Sequence, residues 1–182
     1  MTTTKFVALL RGINVGGKNL IAMPDLVACF HDGGYPDARS VVQSGNVLFN
    51  AAAPSQPELE GALERMLEDR FGLPLGVVVR SRDELAATIA AAPADHGSAD
   101  LRSEVFFLKH PLTVDEAWAQ LPELREGVDA VAPGPDAIYF SRVAARATKT
   151  RITRFMSLPV FQRVTVRSWR TVTRLSEAID AG

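Results

Sequence analysis

Three features of the chain predict an α+β fold built from two tandem copies of one unit. Strand and helix signals follow the order β-α-β-β-α-β twice, and one more helix trails each copy. A short echo, VVVRS at 77–81 and VTVRS at 164–168, falls where a strand closes and a helix opens in both copies. A polar stretch at 92–103, APADHGSADLRS, separates them. That order lays helices on one face of a mainly antiparallel sheet, the ferredoxin-like arrangement. The expected subdomains are 1–95 and 96–182.

In the first copy, Lys5 to Arg11 (KFVALLR) reads as a mostly buried strand. A Gly-rich loop follows, and Pro24 at the first helical position opens a helix that runs through Phe30 and stops at Gly33-Gly34. Ser40–Gln43 and Val47–Asn50 are short strands with Ser44-Gly45-Asn46 as the hairpin turn. After an Ala51–Pro57 loop, Leu59, Leu63, Met66, Leu67 and Phe71 recur at helical spacing with acids opposite, and Gly72 ends that helix. Residues 77–81 form a strand. Arg82–Ala91 forms a helix capped by Ser81 or Asp83.

The second copy repeats the plan. Glu104–Lys109 is a strand, and Thr113–Leu121 is a helix with a cap at Thr113 and Glu116 three residues on. Strands at Val128–Ala132 and Ala137–Arg142 flank the turn Pro133-Gly134-Pro135-Asp136. A basic helix over Ala147–Met156 precedes the strand at 164–168, and Trp169–Ile179 is the last helix.

Composition bounds the function. With 182 residues, 47% hydrophobic and 23% charged, the chain has ample material for buried cores. No apolar run approaches the ~20 residues that span a bilayer, and the N-terminus lacks the features of a signal peptide. The single cysteine, Cys29, lies in an apolar helix as an inert thiol and excludes an internal disulfide. The expectation is a cytoplasmic protein without a membrane partner. Net charge is -1, yet residues 1–136 hold 11 Lys+Arg against 19 Asp+Glu, and residues 137–182 hold 9 against 2. The late block can attract phosphates or an acidic partner, or pair with the acidic helices of the first half.

The most distinctive motif is the loop from Arg11 through Gly12, Asn14, Gly16, Gly17 and Lys18 to Asn19. From Gly12 to Lys18 it satisfies G-x-x-x-x-G-K after a strand. Asn19 stands where a magnesium-holding hydroxyl belongs, and Pro24 starts the helix too late to aim its dipole at the loop. A nucleoside triphosphatase is therefore disfavoured. Two readings stay open. Either Arg11, Lys18 and the Asn14 and Asn19 amides offer donors to an anion over a glycine backbone, or the glycines merely turn the chain and the asparagines satisfy its own main chain. Parallel first and second strands end at one sheet edge, which brings Gln43, Ser44 and Asn46 toward the loop as further polar groups.

ALLRGINVGGKN with Met23 and Leu26 after it, then QSGNVLF, then TVRSWRTVTRL, resembles the bacterial domain of unknown function 1697 family over nearly the whole chain. The resemblance implies two ferredoxin-like subdomains and no established activity. The family's last motif usually has Asn between its Arg and Trp, where this chain has Ser168.

Secondary candidates are Arg167, Trp169 and Arg170, which can stack on a base or hold a phosphate, or else cap and pack the last helix under Ser168. Arg142, Arg146, Lys149, Arg151 and Arg154 gather around the expected basic helix. His31, His96 and His110 lack ligand spacing, so no metal or cofactor is expected; His110, before Pro111 at the second copy's loop edge, is the one histidine worth testing. No catalytic constellation is recognisable, and oligomeric state is not readable. The leading expectation is a protein that binds a phosphorylated small molecule or nucleic acid through the Arg11–Asn19 loop and Gln43–Asn46 turn. The alternatives are an enzyme on a small anionic substrate and an interaction module that uses the basic C-terminal face.

Overall fold

In the computed structural model of the chain, the described residues are 2–52 and 55–182. Met1, and Ala53 and Pro54 of the expected 51–57 loop, lie outside them. The chain forms two compact units, residues 1–85 with 174–182 and residues 86–173.

In the first unit, β1 (Thr4–Leu10) lies between β3 (Asn46–Ala51) and β4 (Val77–Ser81), and the two-residue β2 (Arg39–Ser40) edges β3. The order is β2-β3-β1-β4, antiparallel throughout. Strand alternation turns Phe6, Ala8, Leu10, Val47, Phe49, Val77 and Val79 to one face. There they meet Leu26 and Phe30 of α1 (Met23–Asp32) and Leu59, Leu63 and Leu67 of α2 (Gln56–Phe71). Ser55 caps α2, and its side chain accepts from Glu58 N at 3.4 Å. Ser81 caps α3 (Arg82–Ala90): its Oγ accepts from Glu84 N at 3.2 Å while Glu84 accepts from Ser81 N at 2.8 Å, a reciprocal box.

The second unit has the order β6-β7-β5-β8, again antiparallel, with β5 (Leu101–Leu108) between β7 (Ala137–Val143) and β8 (Val164–Ser168), and β6 (Asp129–Gly134) at the edge. Its core joins Phe106, Leu108, Ile138, Phe140 and Val164 to Ala117 of α4 (Val114–Trp118) and to Ile152, Phe155 and Phe161. Thr113 and Glu116 close the expected capping box. Two antiparallel four-stranded sheets with helices on their core faces make this an α+β protein of two tandem ferredoxin-like subdomains.

The basic helix expected over Ala147–Met156 does not form. A 3₁₀ stretch, Ala144–Lys149, is kinked at Arg146 (φ -123°), Thr150 is extended, and only the single turn α5 (Thr153–Met156) follows. The Asp129 carboxylate takes the Thr150 hydroxyl at 2.6 Å and Arg151 N at 2.9 Å, which draws the chain out of helix where Thr148, Thr150, Ile152 and Thr153 already disfavour it. The five cations expected around one helix are thus distributed over the end of β7 (Arg142), the 3₁₀ stretch (Arg146, Lys149), the turn after it (Arg151) and α5 (Arg154).

Smaller differences have the same local character. Ser40–Gln43 narrows to Arg39–Ser40, so the turn of the first unit spans 41–45 and Asn46 joins the strand. Two residues, Pro135 and Asp136, suffice between β6 and β7, with Asp136 at φ 49°. The expected 92–103 linker yields its last residues to β5 and folds the rest into hydrogen-bonded turns, with His96 N on Pro93 O at 3.0 Å and Leu101 N on Ser98 O at 3.0 Å. The last helix, α6, runs Trp169–Ala181.

Candidate functional site

At the first unit's edge the loop after β1 is a small hairpin. Val15 and Lys18 bridge, Lys18 N donates to Val15 O at 3.0 Å, and Gly16 (φ 58°) and Gly17 (φ 73°) occupy the two left-handed central positions of the turn. Asn14 locks the base reciprocally: its Nδ2 donates to Ile21 O and its Oδ1 accepts from Ile21 N, both at 2.9 Å. Asn19 Nδ2 donates to Gly12 O at 3.0 Å. Both side-chain amides therefore serve the loop's own main chain, the second of the two readings open for them. What this scaffold presents outward is Lys18, exposed, with Val15 and Leu20 at 66% and 74% exposure.

The 41–45 turn does lie against the loop's root. Leu10 N donates to Gly45 O at 2.8 Å, and a Cβ on Gly45 would stand 3.2 Å from the Ile13 side chain. Asn46 is buried and donates its amide to Val42 O, so it holds the turn from within. Gln43 is exposed and Ser44 partly so. Arg11, half-buried, is fixed through its main chain to Gly76 O at 2.8 Å. The loop thus presents Lys18 at its tip and Arg11 at its root, the 41–45 turn that meets the root carries Gln43 and Ser44, and Asn14, Asn19 and Asn46 serve as supports. No His, Cys, Asp or Glu occurs in 11–20 or 43–46, so the edge offers no general acid or base of those types.

A second constellation lies in the other unit. An open cleft of about 640 Å³ is lined by Arg102, Glu104, Arg142, Ser168, Trp169 and Arg170 among others. Arg102 and Arg142 stand directly opposite across β5 and β7, and Glu104 stands opposite Ser168 across β5 and β8. Alternation puts all four on the face that carries Phe106, Phe140 and Val164, beyond the end of that core. Burial pushes the Glu104 carboxyl up, against the pull of Arg142 and Arg102. Among the described residues neither arginine closes an ion pair, and Arg142 Nε is shielded from solvent without a hydrogen bond.

The rear of this region is built by His96, Gly97 and Trp169. The His96 ring packs edge-on against Trp169 at 4.9 Å and Tyr139 at 5.4 Å, and burial holds its imidazole below the usual histidine range. Gly97 (φ 87°) donates to Ser103 Oγ at 2.8 Å, and a Cβ there would stand 2.2 Å from Trp169. Ser168 caps α6, accepting from Thr171 N at 3.2 Å, so the capping and packing roles of Ser168 and Trp169 are both realised. Arg167 donates to Val166 O at 2.9 Å, as Arg80 does to Val79 O at 2.8 Å in the echoing strand, and burial lowers its guanidinium to about 10. His110 Nε2 lies 4.0 Å from Asp136 Oδ2, and neither residue lines the cleft. Sequence reasoning did not reach Arg102 and Glu104. Their signal, R-S-E alternating at the start of a strand, becomes meaningful only with the register that pairs Arg102 with Arg142.

No helix of the described residues is long and apolar enough to cross a membrane, and no group of three or more His, Cys, Asp or Glu among them can hold a metal ion. No curated protein matches the chain. In its fold the chain is similar to a conserved bacterial protein, SP0830 from Streptococcus pneumoniae, at a TM-score of 0.86 and 23% identity over 98% of this chain and 99% of that one. The family model for a protein of unknown function, DUF1697, matches residues 3–139, and with that match the chain belongs to the DUF1697 family.

Proposed function

We propose that the protein binds phosphate-bearing ligands, single-stranded nucleic acid foremost, through the loop edge of its first unit. One observation carries this reading: a hairpin pinned from inside by Asn14 and Asn19 holds Lys18, Val15 and Leu20 out in solvent. Val15 and Leu20 stand in solvent on the same short hairpin loop as Lys18. A lysine between them adds a point charge for phosphate, while the apolar groups can lie against bases and sugars. Arg11, Gln43 and Ser44 extend the donor set at the root of the loop. The groups the edge presents are hydrogen-bond donors and positive charges, which suit binding of an anion.

Fluorescence anisotropy with labelled single-stranded oligonucleotides tests the reading. The wild-type protein should bind saturably at low salt. Lys18→Ala should weaken binding ~5–10-fold and reduce the logarithmic salt slope by about 1, with the thermal midpoint little changed. Equal binding by wild type and Lys18→Ala, or none by either, contradicts it.

A further inference from the structure

The cleft of the second unit carries chemistry that neither its core nor the loop edge explains. Like charges directly opposed on neighbouring strands repel, yet Arg102 and Arg142 form such a pair. Arg170 adds a third cation at the first turn of α6, where the helix dipole also favours an anion. Ser168 and Thr173 bring hydroxyl groups to the same walls. One guanidinium N–H, Arg142 Nε, is shielded from water and unpaired within the protein. Three arginines facing about 640 Å³ of open space suit an anion with several acceptor oxygens and the size of a small metabolite.

Glu104 narrows the class. Two strand positions from Arg102 on the same face, it is the one acid among the cleft-lining residues. It opposes a ligand that is anionic throughout and favours one that pairs an anionic group with a hydrogen-bond donor. We propose that this cleft binds a small phosphate monoester that also carries hydroxyl groups, with Arg102, Arg142 and Arg170 around the phosphate and Glu104 accepting a hydrogen bond from a ligand hydroxyl. The site uses residues of the second unit, and its ligand is a sugar-phosphate-sized molecule instead of a polymer.

Isothermal titration with inorganic phosphate, ribose 5-phosphate and ribose tests the assignment. Ribose 5-phosphate should bind saturably and at least ~10-fold tighter than inorganic phosphate, and ribose alone should not bind. Arg142→Gln and, at the exposed mouth, Arg102→Gln should each weaken both phosphates ~10-fold. Arg125→Gln, an exposed arginine of the same unit, should leave both unchanged. Glu104→Gln should weaken the sugar phosphate and spare inorganic phosphate. Arg102→Gln guards the test should Arg142→Gln fail to fold. Absence of saturable binding of either phosphate up to tens of millimolar, or affinities unmoved in folded Arg102→Gln protein, overturns the proposal. The oligonucleotide measurement reads Lys18 and this one reads the two arginines, so each reading can fail alone.

Discussion

His96 shows how a side chain with no motif around it becomes consequential once folded. Its ring is enclosed by Tyr139 and Trp169 with Nε2 buried, and burial outweighs the opposite pulls of the Glu104 main chain and of Asp95 on its pKa. The folded pKa is therefore below the unfolded value, so the unfolded state binds the extra proton as pH falls. His96 contributes stability in full above about pH 6.5, and that contribution is lost as pH falls through the folded value. The thermal midpoint should decline as the solution is acidified below about pH 6.5, and His96→Gln should flatten the decline across that window. Glu104, with its raised pKa, acts in the other sense: its carboxylate form destabilises as pH rises through the folded value. An unchanged slope in His96→Gln would contradict the assignment. Sequence spacing says only that His96 has no ligand partners; its burial depends on Trp169, 73 positions later in the chain.

At the level of elements, the first turn of α6 is seated by a single glycine. Gly97 combines a left-handed backbone with a Trp169 ring where its Cβ would be. Gly97→Ala therefore meets backbone strain and a clash together, and should cost about 2–4 kcal/mol in urea unfolding. A loss within ~0.5 kcal/mol would mean that α6 and the 93–100 turns shift at little cost. Strands, helices and caps were legible in the sequence wherever local signals decided them. The Thr113 capping box, the Gly72 stop and the periodic face of α2 are of this kind, and the α3 cap, open between Ser81 and Asp83 in the sequence, falls to Ser81. The failed helix at 147–156 was not, because Asp129, some twenty residues earlier, supplies the competing hydrogen bonds. The candidate sites divide the same way. Glycine turn chemistry made the Arg11–Asn19 loop visible, but which way Asn14 and Asn19 point depends on main-chain partners at Ile21 and Gly12. Arg102 and Arg142 meet only through strand register, which a single sequence leaves open.

For the molecule as a whole, the two copies keep one topology and differ in chemistry. The first preserves two full helices against its sheet and presents a glycine hairpin with an exposed lysine. The second replaces its second long helix with short turns and leaves arginines on the uncovered end of its sheet face. The proposed function rests on the first copy's loop edge, and backbone amide chemical-shift mapping tests it most directly. On titration with a single-stranded oligonucleotide, saturable shifts should concentrate at residues 11–20 and 43–46, and Lys18→Ala protein should need ~5–10-fold more oligonucleotide to reach them. Shifts scattered over both units, or confined to residues outside that edge, would contradict it.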